Sequence, residues 1–252
     1  MESCKEASTP ISTSCYLDLG ERGPAIETSK YRGIIRPFLY LIASRLDIMF
    51  RVCLCARFQA NPKEFHMIVI KRILKYLRVT IDVGLWFPKG VSLSLVGYSD
   101  FDYARCIIDR KSISGTCRLV GSALVSWHSK KQAYVALITV EDEYIAGGSC
   151  CAQLLLMKQQ LVDYGVMLDN IPFRCDNTSA IYLTMNPILH SRTKHIEIRH
   201  HFLKDHVQKG DCVVEFIETN KQLADIFLKP LPIDRFNYLR NELGILSESC
   251  LN

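Results

Sequence analysis

Four acidic residues stand where the local pattern puts the end of a strand or the first turn of a helix: Asp100 after LVGYS, Glu141 opening a long helical run, Asp176 after PFRC, and Asp225 in NKQLADIF. Strand ends and helix starts of one sheet can converge on one edge, and carboxylates gathered there repel unless divalent cations sit among them. Hard oxygen donors of this kind suit Mg2+ or Mn2+ rather than zinc. The plainer reading of each acid is a helix cap or a solvated turn residue, and the residues alone leave both open. Asp102 and Glu143 lie two residues beyond Asp100 and Glu141 and are the acids this reading sets aside.

Other chemistry is weaker. Eleven cysteines form no C-x-x-C pair, and Cys53-x-Cys55 alone specifies nothing. The usual zinc-finger and thioredoxin spacings are therefore missing, and an odd count without a secretory signal points to reduced, mostly buried thiols in an intracellular protein. The stretch NPILHSRTKHIEIRHHFLKDHVQKG holds five of the 7 histidines and is the most basic part of the chain. No two of those histidines stand four apart, so the helical pair of a zinc protease is absent. Arg192, Lys194 and Arg199 are candidates for phosphate contact, as are Lys130 and Lys131 after VSWH. The competing reading of the basic stretch is a helix packed on a sheet, with His195 or His201 hydrogen-bonded inside. Trp127 reads as a core residue of a central strand, with stacking of Trp127 and His128 on a base or sugar as the competing role.

The elements that must position these groups follow from periodicity. YRGIIRPFLYLIASRLDIMFRVCLCARF and NPKEFHMIVIKRILKYLRVT carry apolar residues at three-and-four spacing and predict a helical hairpin over 31–80. Pro37 is expected near the start of its first helix and Asn61-Pro62 at the start of the second, with Phe65, Ile68, Val69, Leu74 and Leu77 as core candidates. Lys71, Arg72, Lys75 and Arg78 could track a phosphate backbone or form a solvated face. From residue 81 the period shortens. DVGLWF, SLSLVGYSD, SISGTCRLV and SALVSWHS read as strands between turn signals, and a long helix follows from Glu141 to about Gly165. PFRCD, NTSAIYLTM and CVVEFIE read as strand, short helix behind an Asn cap, and strand, with a further helix from near Thr219. Strands in a run, then helices alternating with strands, predict a mixed α/β sheet with helices on its faces.

The composition is that of a folded chain: 252 residues, 48% hydrophobic, 23% charged, net charge +5. No apolar run reaches the roughly 18 to 20 residues of a membrane helix, so no membrane partner is expected. The charge permits a nucleic-acid partner without requiring one.

At this point the residues resemble a known family, the ribonuclease H domain of copia-type long-terminal-repeat retrotransposon polyproteins. The motifs run in order from Tyr31 to Leu246: YRGIIRPFLYLIASRLDI, FHMIVIKRILKYLR, LVGYSDFDYA, DRKSISGTC, VSWHSKKQ, TVEDEYIA, CDNTSAI, HSRTKHIEIRHHFLKDHV and NKQLADIFLKPLP. The resemblance implies a ribonuclease H-like fold with a mixed five-stranded sheet. It implies a loosely ordered segment at 1–30, a helical remnant of reverse transcriptase thumb or connection at 31–88, the ribonuclease H-like domain at 89–230, and a C-terminal helix and tail at 231–252. Carried over, the metal carboxylates fall on Asp100, Glu141, Asp176 and Asp225, holding two Mg2+ ions, or Mn2+, that cut the RNA strand of an RNA/DNA hybrid. In that scheme Asp100 bridges the ions, Asp225 holds the one that activates water, and Glu141 with Asp176 holds the other. Asn177 and Gln222 become candidates for hydrogen bonding to the 2′-hydroxyls that mark RNA, with capping and solvation as the competing roles.

The resemblance also implies a fragment of a longer polyprotein, located in a cytoplasmic particle or the nucleus and not secreted, with the rest of that polyprotein as partner. No Asp-Asp dipeptide is present, so no DNA synthesis is expected. Departures from the family pattern include Arg36-Pro37, Leu46, Phe101 and Arg105 around the first acid, and Val140 and Asp142 around the second. Asp142 adds a like charge and Phe101 bulk, which weakens the expected hold on metal. The alternative function is a catalytically inactive remnant that binds nucleic acid or is merely structural.

Overall fold

The computed structural model describes residues 5–13, 17, 23–102, 111–132, 139–185 and 197–250, with backbone alone at 102, 139–145, 180, 183–185 and 197–201. Its elements in chain order are α1 (Thr28–Leu41), α2 (Met49–Ala56), α3 (Glu64–Arg78), β1 (Val83–Leu85), β2 (Leu95–Asp102), β3 (Ile113–Val120), β4 (Ala123–Lys131) and α4 (Thr139–Asp163). After them come β5 (Ile171–Cys175), α5 (Thr178–Met185), α6 (Glu197–Gln208), β6 (Cys212–Phe216), α7 (Ile233–Glu242) and β7 (Ile245–Ser247). They form two compact units, Met1–Trp86 with Lys229–Asn252, and Phe87–Leu228.

The first unit is helical, but its helices differ in phase from the sequence expectation. In α3 the buried stripe is His66, Met67, Val69, Ile70, Ile73 and Tyr76, whereas Ile68 is exposed and Phe65, Leu74 and Leu77 are only partly covered. Two polar residues join the stripe because their polar atoms are satisfied inside. The His66 ring stacks on Phe58 at 4.1 Å while its Nδ1 accepts the Lys63 N–H at 3.0 Å. Tyr76 donates its hydroxyl to Asp47 Oδ2 at 2.6 Å. That His66 contact also sets the start of α3 at Glu64, two residues past the expected Asn-Pro signal.

Asp47 and Arg45 lie in and beside a 3-10 turn at Leu46–Ile48 and form a buried two-pronged ion pair, Nε to Oδ1 at 3.0 Å and NH2 to Oδ2 at 2.7 Å. Arg45 also donates to the Thr80 carbonyl at 2.8 Å and the Thr80 hydroxyl at 2.7 Å, tying this turn to the end of α3. Pro37 falls inside α1 rather than near its start, on the exposed side. There the hydrogen bond it forgoes opens to water.

Two further expectations for this unit change. Residues 5–13 of the supposedly loose N-terminus bury Ala7, Thr9 and Ile11, and Arg72 donates to the Thr9 carbonyl at 3.1 Å. A backbone carbonyl satisfied by a guanidinium and the buried side chains, Pro10 among them, hold the segment in place. The DVGLWF strand does not join the main sheet: β1 pairs antiparallel with β7, Val83 opposite Ser247 and Leu85 opposite Ile245. The expected C-terminal helix is α7, and with β7 it belongs to the helical unit.

The second unit is built on a five-stranded mixed sheet of order β4-β3-β2-β5-β6. β2 and β4 run antiparallel to β3 between them, while β5 is parallel to β2 and β6 to β5. Alternation in IPFRC sends Ile171, Phe173 and Cys175 to one face, where they meet Leu95, Val214, and Cys150 and Leu154 of α4. The stripe Ala146, Cys150, Leu154, with half-buried Met157 and Leu161 beyond it, gives α4 its helical spacing and its packing face. Gly97 permits the close seat: a Cβ there would stand 2.6 Å from a Leu154 methyl. Cys55, Cys117, Cys150, Cys151, Cys175 and Cys212 are buried free thiols, and burial raises Cys150 to about 11. β4 is an edge strand and Trp127 in it is half-buried, so Trp127 is not the core of a central strand. Among the described residues no helix is long and apolar enough to cross a membrane.

Candidate functional site

Asp100 lies within β2, directly opposite Gly115 of β3, which is opposite Ser129 of β4. Opposed residues share a face, so these side chains form one row on the side of the sheet away from α4. A 3-10 turn at Leu223–Phe227 lies over that row. Ser129 donates its hydroxyl to the Phe227 carbonyl at 2.6 Å. A Cβ on Gly115 would meet the Ala224 carbonyl at 2.9 Å, so this strand glycine marks a close backbone approach. The turn brings Asp225 to the same face, 3% exposed, while Asp100 is 7% exposed.

Asp176 follows the last residue of β5. The parallel register sets Tyr98 beside Arg174, and counting two residues on each strand brings Asp100 and Asp176 to the same level. Thr219 donates its hydroxyl to Asp176 Oδ2 at 2.9 Å, and Gln222 donates from Nε2 to Oδ1 at 3.5 Å. Gln222 also donates to the Ser99 carbonyl at 3.0 Å and accepts the Ala224 N–H at 3.3 Å. Asp100 Oδ1 accepts the N–H of Phe101 at 2.7 Å. One row away on the same face, Arg174 donates to the Tyr98 hydroxyl at 2.6 Å and pairs with Glu215 at 3.2 Å.

Three of the four expected carboxylates therefore lie on one face of the sheet or on the turn that covers it. The fourth, Glu141, lies in the first turn of α4, where only backbone is described. Among the described residues no group of three His, Cys, Asp or Glu side chains stands close enough to hold a metal ion. What fits a hard cation is the donor chemistry: oxygen ligands, with Asp176 held by a neutral hydroxyl and a neutral amide.

The candidates for nucleic-acid contact fare differently. Gln222 is 0% exposed, and its amide bonds internally to the Ser99 carbonyl and the Ala224 N–H. Asn177 accepts the Ser179 N–H at 2.8 Å and so caps α5. Lys130 is exposed on the edge strand and Lys131 is half-buried. Arg192 and Lys194 lie outside the described residues, and Arg199 is described by backbone alone in α6. His206 of the basic stretch pairs with Asp211 at 2.7 Å, a hydrogen bond that holds the Asp211 carboxyl below its usual range. The sequence reading passed over Thr219 and Gly115. A glycine in the interior of the strand SISGTC was the available signal for the second.

No family model matches the chain. It is 35% identical over 247 residues to the retrovirus-related Pol polyprotein from transposon RE2 of Arabidopsis thaliana, a match that covers 98% of this chain and 17% of that protein. The corresponding polyprotein from transposon RE1 of the same plant is 36% identical over 246 residues, covering 97% of this chain and 17% of its own length. Among solved structures, LC11-RNase H1, isolated from compost, shares 15% identity at a TM-score of 0.40, covering 54% of this chain and 93% of that one. The fold itself rests on the sheet: three antiparallel strands, then two parallel ones, with a long helix on one face, make the second unit ribonuclease H-like. The chain is thus similar along nearly its whole length to retrovirus-related Pol polyproteins from plant transposons, while spanning only 17% of theirs.

Proposed function

We propose that the sheet unit is a ribonuclease H that hydrolyses the RNA strand of RNA/DNA hybrids, within a polyprotein whose remainder is its partner. The observation that carries this reading is the gathering of Asp100 and Asp176 at one level of the sheet, beneath the turn that bears Asp225. Asp100, Glu141, Asp176 and Asp225 would hold two Mg2+ ions, with Mn2+ able to replace them, and these would supply an activated water and a counter-charge for the leaving oxygen. The protein's own part is to hold the carboxylates oriented. Thr219 and Gln222 do this for Asp176, and the row at Gly115 and Ser129 seats the turn that carries Asp225. Lys130, exposed at the edge strand, and Arg192, Lys194 and Arg199 in the basic stretch would take the hybrid's phosphates.

A second reading has its own observations. The Asp100 carboxylate turns onto the N–H of Phe101, and no three described metal-ligating side chains stand together. These favour a remnant that binds a hybrid without cutting it. Incubating the purified chain with a labelled RNA/DNA hybrid, with Mg2+ or EDTA, beside Asp176→Asn separates the two. Cleavage that requires both Mg2+ and Asp176, leaving 5′-phosphate ends, is the expected result. Salt-sensitive binding by a folded chain that cuts nothing would select the second reading.

A further inference from the structure

Gln222 is fully buried, yet it is not a core residue in the ordinary sense, because its amide makes hydrogen bonds on or next to three candidate carboxylates. It donates to the carbonyl of Ser99, the residue before Asp100. It donates to Asp176 itself. It accepts the N–H of Ala224, the residue before Asp225. Thr219, in the 3-10 turn at Thr219–Lys221, takes the other oxygen of Asp176, so each carboxylate oxygen has its own donor.

The choice of donor matters. A lysine or arginine at 222 would orient Asp176 equally well but would also cancel its charge. A neutral amide and a neutral hydroxyl fix the carboxylate and leave its charge for a cation. A glutamate at 222 would keep the size of the side chain, lose the donor and place a second negative charge against Asp176.

We infer that Gln222 and Thr219 are positioning residues for a divalent-cation site, a clamp that ties β2, the end of β5 and the covering turn into one frame. The inference rests on the metal-site reading above. Neither residue touches the reacting atoms. Both act by fixing where Asp176 points, and Gln222 by holding the backbone on which Asp100 and Asp225 are mounted.

The test is Mn2+ binding without substrate, followed by electron paramagnetic resonance, on the full chain and on Gln222→Glu, Thr219→Val and Thr219→Ser. Gln222→Glu is expected to weaken Mn2+ binding by about 10- to 100-fold. Thr219→Val, at an exposed contact that the fold tolerates losing, is expected to weaken it by about fivefold. Thr219→Ser keeps the hydroxyl and restores binding. Raising Mg2+ should recover hybrid cleavage by Thr219→Val, a rescue that a merely structural defect would not show. Folded Gln222→Glu and Thr219→Val chains with unaltered Mn2+ affinity would overturn the clamp alone. A folded wild-type chain that binds no Mn2+ would overturn the metal site and the clamp together.

Discussion

Asp47 in the helical unit and Asp176 in the sheet unit are both fixed by their surroundings, but by opposite means. Asp47 is 3% exposed and meets a two-pronged Arg45 and the Tyr76 hydroxyl, so its charge is answered inside the protein. Asp176 is half-buried and is held by a hydroxyl and an amide, which orient it and leave its charge in place. The first arrangement suits a group whose task is to hold helices together. The second suits a group whose charge is to be used by something that arrives from outside.

Substitutions should separate the two roles. The largest effect is expected on activity: Asp176→Asn should lower hybrid cleavage by about a thousandfold. Because its present partners are neutral and its contact with Thr219 is exposed, the same change should move the urea midpoint little. Asp47→Asn should do the reverse in kind. It leaves Arg45 buried without its counter-charge, at a cost of about 3 to 5 kcal/mol read from urea unfolding. Replacing Arg45 and Asp47 together by apolar residues should recover most of that loss, since the pair is worth far less than its breakage costs. If Asp176→Asn destabilises the chain as much as Asp47→Asn does, the contrast between the two carboxylates fails.

Gly115→Ala comes next. The added methyl meets a backbone carbonyl at 2.9 Å, so the turn bearing Asp225 must lift, costing about 1 to 3 kcal/mol in unfolding experiments. Cleavage should fall with it, while a stability loss without any loss of cleavage would detach the turn from the site. The smallest effect is a pH dependence at the sheet edge. Burial, then Lys130 and Arg118, lowers the pKa of His128 from 6.5. The unfolded chain therefore takes up this proton first, so the contribution is whole above pH 6.5 and is lost as pH falls toward the lowered native value. His128→Gln should flatten stability over that acidic window, measured by urea midpoints at successive pH values.

Much of the sheet unit was legible because period-two alternation and turn residues are local signals, and they put Asp100 and Asp176 at strand ends from the residues alone. Other features depended on partners far away in sequence. β1 is three residues long and its mate lies at the C-terminus, so the pattern of DVGLWF shows a strand but not what it pairs with. The α3 stripe was misphased because His66 and Tyr76 are polar by type and buried by virtue of contacts with Lys63 and Asp47. Of the roles left open for Gln222, capping is found at the turn Leu223–Phe227, but its burial was illegible for the same reason. A glutamine between a lysine and a leucine counts as surface, and only the carbonyl of Ser99, distant in sequence, makes its burial affordable.

The most direct measurement is a crystal structure of the chain grown with Mn2+, with the metal located from its anomalous signal. Density bounded by the carboxylates of Asp100, Asp176 and Asp225, joined by Glu141, at oxygen distances of about 2.0 to 2.3 Å, is the result this account predicts. A well-ordered sheet unit with Asp176 still held by Thr219 and Gln222 and no metal beside it would contradict the claim that its charge is kept for a cation.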